Sequence, residues 1–223
     1  MIFFPNELKK SINKRRAEYL AGRILARKLL LEFGIKNKII VSNHHRCPIW
    51  PRNIVGSISH SSSIAICIMA KSSEYSGLGV DIEKVFSQTT TSQIKSLVFD
   101  SNEWNKLRCS GIPIELAGTI GFSAKESLFK ALYPSVGNYF DFSSATISQL
   151  DMENGELELE LTSSLNSFLL KNMKFKIKIE NEQGEILAEL EMQENVEIDL
   201  DIGEKNVIIS NEVKNGNTTT ITK

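Results

Sequence analysis

The feature that most constrains the fold is a change of hydrophobic period along the chain. Apolar and charged residues alternate strictly in two segments, 156–161 and 174–179, and a period of two predicts half-exposed β-strands. Earlier segments, 6–33, 89–107 and 114–133, carry the longer period of helices. The sequence therefore predicts a mixed α+β fold.

Glycine and proline set several expected boundaries. The first predicted helix should end at Gly34, and the third should end before Pro134. The apolar side of the first helix is predicted to consist of Ala17, Leu20, Ala21, Ile24 and Leu31. Apolar runs predict four more strands, at 54–59, 64–70, 77–83 and 186–192, and the polar end near 215–220 is expected to be frayed. We expect two α/β halves, 1–98 and 99–223.

Composition excludes several classes of protein. The 223 residues carry a formal charge of −1, whereas nucleic-acid binders concentrate a basic excess. Three cysteines without C-x-x-C spacing fit free thiols in a reducing compartment. The sequence shows neither a signal-like start nor an apolar run of about 18 residues. We expect a cytoplasmic protein that binds neither nucleic acid nor membrane.

Three acidic residues are the first candidate site. Asp81 and Glu83 are two residues apart on a predicted strand, so both carboxylates face the same side. Glu126 lies on a predicted helix and supplies a third. Magnesium prefers oxygen ligands and often takes one or two carboxylates together with phosphates. The alternative is that Asp81 and Glu83 merely lie at the solvent-exposed end of a strand and bind no metal.

Two lysines flank the third acid. Glu126 and Lys130 are four residues apart and share a helix face, and Lys125 adjoins them. Such a pair is common on helix surfaces. A metal ligand beside two cations also suits a pyrophosphate, because the cations neutralise charge on its oxygens.

Other polar clusters are less specific. Ser59 and His60 end a predicted strand, where adjacent side chains point to opposite faces, so phosphate contact suits them better than a Ser/His catalytic pair. A structural histidine remains the alternative. His44, His45 and Cys47 have no second pair of ligands to complete a zinc site. Four arginines, at positions 15, 16, 23 and 27, form either a solvated face or a phosphate grip.

Five segments, in this order, resemble the 4′-phosphopantetheinyl transferases, especially the type that serves siderophore and other nonribosomal peptide synthetases. They are Arg15-Arg16-Ala17-Glu18-Tyr19-Leu20-Ala21-Gly22-Arg23, Trp50-Pro51, Gly56-Ser57-Ile58-Ser59-His60-Ser61, Gly79-Val80-Asp81-Ile82-Glu83, and Phe122-Ser123-Ala124-Lys125-Glu126-Ser127 with Lys130. The resemblance covers roughly residues 12 to 135. It does not extend to the basic run that relatives often carry before Trp50.

The resemblance implies two pseudo-symmetric α/β halves with coenzyme A in the cleft between them. It implies transfer of phosphopantetheine to a serine of an apo acyl or peptidyl carrier protein, with release of 3′,5′-ADP. Magnesium would be the cofactor and a monomer would suffice. The implied metal ligands are Asp81, Glu83 and Glu126. The implied coenzyme A contacts are Arg15, Arg23, Arg46, Ser59, His60, Lys125 and Lys130, and the implied catalytic residues are Glu126, Lys130 and Glu103 as general base.

Two other functions stay open at this point. The chain could be a non-catalytic coenzyme A or carrier-binding homologue. It could also be a magnesium-dependent phosphohydrolase that uses the same three acids to cleave coenzyme A.

Overall fold

The computed structural model describes Leu8 and residues 11–36, 39–61, 64–182, 184–193, 206–211 and 219–222, the last two ranges as backbone. The helices are α1 (Asn13–Glu32), α2 (Gln88–Val98), α3 (Ser101–Arg108) and α4 (Ile114–Val136). The strands are β1 (Ile54–Ser61), β2 (Ile64–Lys71), β3 (Tyr75–Lys84), β4 (Ala145–Asp151), β5 (Glu156–Leu161), β6 (Lys174–Glu182), β7 (Glu185–Gln193), β8 (Asn206–Asn211) and β9 (Thr219–Thr222). The predicted α+β class is confirmed.

The chain forms two compact units. Unit 1 contains Met1–Leu78 together with Met192–Lys223, and unit 2 contains Gly79–Glu191. A four-stranded sheet has the order β1-β2-β8-β9, and a five-stranded sheet has the order β3-β7-β6-β5-β4. Within the described residues, no helix has the length and apolarity that crossing a bilayer requires.

In unit 1, α1 packs on the antiparallel strands β1 and β2. The helix ends as predicted: Ile35 N donates to the carbonyl of Leu30, and Gly34 adopts a φ of 72°. Its predicted apolar side was wrong in part, because Ile24 and Leu31 are 42% and 50% exposed. The helix residues in the core are Ala21, Leu25, Ala26, Leu29 and Leu30. The helix also begins later than predicted, at Asn13, because residues 11 and 12 are described and are not helical; residues 6 and 7 lie outside the described residues.

In unit 2, α4 packs on β5 and β6, and α2 and α3 pack on α4. The predicted alternation in β5 is confirmed: Leu157, Leu159 and Leu161 are fully buried. On the other face, the register places Glu158 of β5 opposite Lys176 of β6. Opposite charges in register favour this pairing of strands.

The division into units differs from the expected halves, 1–98 and 99–223. Residues 79–98 belong to unit 2, because β3 joins the five-stranded sheet and α2 packs on α4. The end of the chain returns to unit 1, where β8 pairs with β2. The strand Thr219–Thr222 also replaces the frayed end expected there, while residues 215–218 lie outside the described residues.

Two predicted helix boundaries were wrong. The helix expected at 89–107 is interrupted, because the Asp100 side chain accepts hydrogen bonds from the backbone of Asn102 and Glu103 and starts a new helix. Pro134 does not end α4, which continues to Val136 and stops at Gly137 with a φ of 73°.

A close backbone contact in unit 2 lies between β3 and α4. A Cβ atom placed on Gly79 would lie 1.9 Å from the carbonyl oxygen of Ser127 and 3.0 Å from the Cβ of Ala131. Ser127 Oγ donates to the Gly79 carbonyl at 2.9 Å. Only glycine fits at this position, and the contact fixes how near the helix lies to the strand.

We predict that Gly79→Ala destabilises the protein by more than about 2 kcal/mol, because β3 and α4 would have to separate. The matched control is Gly118→Ala in α4, where an added Cβ meets its nearest neighbour at an ordinary 3.4 Å and helix propensity improves. Urea unfolding measures both changes. A Gly79→Ala protein as stable as the wild type would contradict this interpretation.

Candidate functional site

An acidic site lies where β3 contacts α4. Asp81 is 4% exposed. Its Oδ1 accepts a hydrogen bond from Lys130 Nζ at 2.6 Å, and its Oδ2 accepts one from Ser123 Oγ at 2.9 Å. Lys130 Nζ also donates to the carbonyl of Val80 at 3.0 Å. The structure therefore joins Asp81 to Lys130 and adds Ser123, to which the sequence analysis gave no role.

Glu83 and Glu126 share this environment. Burial raises the pKa of Glu83 to about 7; the charge of Asp81 acts in the same direction, Lys130 opposes it, and Glu126 raises it further. Burial also raises the pKa of Glu126, where Lys130 opposes and Asp81 reinforces the shift. Since the pKa of each glutamate responds to Asp81, the three predicted acids form one electrostatic cluster around one ammonium group.

A fourth acid adjoins the cluster. The charge of Glu185 on β7 also raises the pKa of Glu83. Its Oε2 atom is buried and accepts no hydrogen bond from the described residues. Burying unpaired carboxylate oxygens costs free energy unless a cation accompanies them.

The ligand chemistry of this cluster fits a hard divalent cation, because magnesium binds carboxylate oxygens. The carboxylates also outnumber the single lysine that could neutralise them. The side chains do not form a finished centre: among the described residues, no three His, Cys, Asp or Glu side chains are grouped as a metal site.

Lys125 and Glu103 lie close together. Their side chains form a buried ion pair of 2.7 Å and are 2% and 3% exposed. Lys125 Nζ also donates to the carbonyls of Val98 and Phe142, and burial lowers its pKa, against the effect of Glu103. The Glu103 oxygens accept hydrogen bonds from Asp100 N and Ile147 N. The pair ties α2, α3, α4 and β4 together, and the predicted roles of both residues toward coenzyme A stay predictions.

A pocket of about 130 Å³ in unit 2 is lined by Glu126 together with Lys125 and Asp141. Its aromatic lining consists of Phe129, Tyr139, Phe140 and Phe142. Phe129 packs against Phe140 with ring centroids 4.9 Å apart. One carboxylate, Glu126, therefore belongs both to the acidic cluster and to this pocket.

A larger pocket, of about 650 Å³, lies in unit 1 between α1 and the loop before β1. Its lining includes the predicted contacts Arg15, Arg23, Arg46 and His60. Its polar lining also contains Ser11, Glu18, Tyr19, Ser42, Asn43 and His44. The cluster of arginine side chains makes this a candidate anion site.

Ser59 and His60 separate as their strand positions predict. His60 lines the pocket, and its Nδ1 lies 3.7 Å from Glu18 Oε2. Ser59 is 5% exposed and is not among the described residues that line the pocket. The structure therefore places His60, and not Ser59, where a ligand could reach it.

Sequence reasoning missed the serines that hold this arrangement. Ser123 and Ser127 are both fully buried, four residues apart on the face of α4 that meets β3. Two hydroxyls at i and i+4 on an otherwise apolar helix face could have predicted this contact, because buried hydroxyl groups need hydrogen-bond partners on the neighbouring element.

Comparison with known proteins agrees with this division of the chain. Residues 4–70 match the family model "4′-phosphopantetheinyl transferase N-terminal domain", and residues 77–184 match "4′-phosphopantetheinyl transferase superfamily". The arginine pocket falls in the first match and the acidic cluster in the second. The chain belongs to the 4′-phosphopantetheinyl transferase superfamily.

Curated relatives carry related names. Enterobactin synthase component D of Salmonella typhi is 38% identical over 161 residues, which cover 71% of this chain and 66% of the relative. The protein of the same name from Salmonella typhimurium is 36% identical with the same coverage. The 4′-phosphopantetheinyl transferase Npt of Nocardia iowensis is 27% identical over 71% of this chain and 74% of its own length. The matched part thus spans 66% of the length of the two Salmonella relatives.

We predict that Glu83→Gln stabilises the metal-free protein at pH 8. In the folded state Glu83 holds its proton up to about pH 7, against an ordinary pKa of 4.5, so the folded state loses stability as pH rises through this window. Glutamine avoids that loss. The advantage should shrink toward pH 5, where folded Glu83 is itself neutral.

Thermal unfolding in a chelator at pH 5 and pH 8 measures this difference. Glu153→Gln, in the exposed turn between β4 and β5, is the control and should show no such pH dependence. An equal effect of Glu83→Gln at both pH values would argue against the shifted pKa.

Proposed function

We propose that this protein transfers the 4′-phosphopantetheine arm of coenzyme A to a serine of an apo carrier protein. The observation that carries the proposal is the partly buried cluster of Asp81, Glu83 and Glu126 around Lys130, within the segment that matches the transferase superfamily. The names of the Salmonella relatives support the siderophore type. The cytoplasmic location and the monomeric state stay predictions.

Asp81 and Glu126 would hold magnesium, with Glu83 as the third ligand. When bound, the metal would neutralise charge on the pyrophosphate oxygens. Lys130 supplies a positive charge within 2.6 Å of Asp81, where it would stabilise the negative charge of the departing group. Ser123 fixes the orientation of the Asp81 carboxylate through its hydrogen bond.

In the reaction, the hydroxyl oxygen of the carrier serine forms a bond to the phosphorus that bears the pantetheine. The bond from that phosphorus to the bridging oxygen breaks, 3′,5′-ADP leaves, and the hydroxyl gives up its proton. Positioning and charge neutralisation supply most of the catalysis in such transfers. The buried pair of Glu103 and Lys125 would fix the position of α4.

The two pockets would bind different parts of coenzyme A. The arginines and His60 of the unit 1 pocket would contact the 3′-phosphorylated nucleotide. The aromatic pocket beside Glu126 suits an apolar group attached close to the pyrophosphate. The gem-dimethyl carbon of pantetheine is such a group, because a single methylene separates it from the phosphate oxygen.

We expect the purified protein, with magnesium and coenzyme A, to add the mass of phosphopantetheine to an apo carrier protein. Asp81→Ala and Glu126→Ala should each lower the rate at least about 100-fold, because charge stabilisation at the pyrophosphate is lost. Glu153→Ala, which removes an exposed acid outside the cluster, is the matched control and should leave the rate unchanged. Mass spectrometry of acyl and peptidyl carriers reads out transfer.

Each alternative function has its own result in this assay. Release of 3′,5′-ADP without any carrier would identify a phosphohydrolase. Coenzyme A binding without modification of any carrier would identify a non-catalytic homologue. Either result would reject the transferase.

A further inference from the structure

Arg23 is the buried arginine among those that line the unit 1 pocket in the described residues. It lines the 650 Å³ pocket, yet the residue is only 7% exposed. Its Nη2 donates to Ser42 Oγ at 2.8 Å, and its guanidinium carbon lies 4.6 Å from the centre of the Tyr19 ring. These two contacts determine both the position and the plane of the guanidinium group.

One buried donor of this group lacks an acceptor. Arg23 Nε is buried, and none of the described residues accepts its hydrogen bond. A buried charged donor without an acceptor is costly, and an anion bound in the pocket would offset this cost. Guanidinium presents its donors in a planar fork that matches the oxygens of a phosphate.

Ser42 is itself held firmly. It forms an isolated backbone bridge with Pro48, and Ile49 N donates to the carbonyl of Val41 at 2.9 Å. The Asn43 side chain accepts hydrogen bonds from the backbone of His45 and Cys47 and closes the loop between them. The Ser42 hydroxyl therefore offers Arg23 a fixed acceptor rather than a mobile one.

We propose that Ser42 is a positioning residue for phosphate recognition: by anchoring Nη2 of Arg23 in a fixed loop, it aligns the guanidinium for a phosphate monoester. The inference rests on the proposed function, in which the acidic cluster of unit 2 takes the pyrophosphate. The phosphate left for the arginine pocket is then the 3′-phosphate of coenzyme A. Ser42 thereby contributes to selecting 3′-phosphorylated nucleotides without touching them.

Two nucleotides that differ only in this phosphate test the role. Calorimetric titration of the full chain with 3′,5′-ADP and with 5′-AMP measures the preference for the 3′-phosphate. Ser42→Ala should weaken 3′,5′-ADP binding about tenfold, the low end of the effect of a hydrogen bond to a charged group, and should change 5′-AMP binding less than about twofold. Ser42→Thr keeps the hydroxyl and should restore the preference. Ser92→Ala, on the exposed side of α2, is the matched control.

A double-mutant cycle with Arg23→Met decides whether Ser42 acts through Arg23. In the Arg23→Met background, Ser42→Ala should have no further effect on 3′,5′-ADP binding. An equal loss in that background, or equal weakening of both nucleotides by Ser42→Ala, would overturn the proposal.

Inorganic phosphate separates this proposal from the proposed function. If the wild type fails to discriminate the two nucleotides, yet Ser42→Ala still weakens phosphate binding, the positioning role stands and the coenzyme A assignment fails. If carriers are modified but Ser42→Ala keeps the full preference for 3′,5′-ADP, the transferase stands and the role of Ser42 is refuted.

Discussion

The near contact between Gly79 on β3 and Ser127 on α4 is the constraint on which the acidic site depends. Without a side chain on Gly79, the helix backbone comes close enough for Ser127 to bond the strand carbonyl at 2.9 Å. One helical turn in each direction, the same face delivers Ser123 to one oxygen of Asp81 and Lys130 to the other. The geometry of the carboxylate thus follows from a backbone distance, which a single methyl group would change.

That arrangement concentrates negative charge in a partly buried place. The raised pKa values of Glu83 and Glu126 show that the fold holds these acids together at a cost in free energy. Lys130 offsets only part of it. Strain of this electrostatic kind is typical of sites that bind a cation or a charged substrate. It distinguishes the cluster from the exposed cross-strand charges of β5 and β6, where each glutamate faces a lysine in water.

Much of this site could be predicted from the sequence. Two-residue spacing puts Asp81 and Glu83 on one face, and the ordered motifs single out Glu126 and Lys130. The spacing does not tell which cation points inward: Lys125 adjoins Glu126 in the chain, yet it turns to Glu103 and is buried. The helical period of residues 89–107 also gave no sign of the new helix that starts after Asp100. The apolar pattern runs on across this point, whereas the Asp100 side chain caps a second helix there. The pairing of β8 with β2 joins strands about 140 residues apart, which no local pattern encodes.

We propose that β3 and α4 build a site for one divalent cation. Electron paramagnetic resonance of manganese, titrated into the protein with coenzyme A, tests this site most directly, since bound and free manganese give distinct signals. We predict one bound ion per chain, and loss of that ion in Asp81→Ala while the protein stays folded. Absence of bound manganese in the wild type, or an unchanged ion in Asp81→Ala, would contradict it.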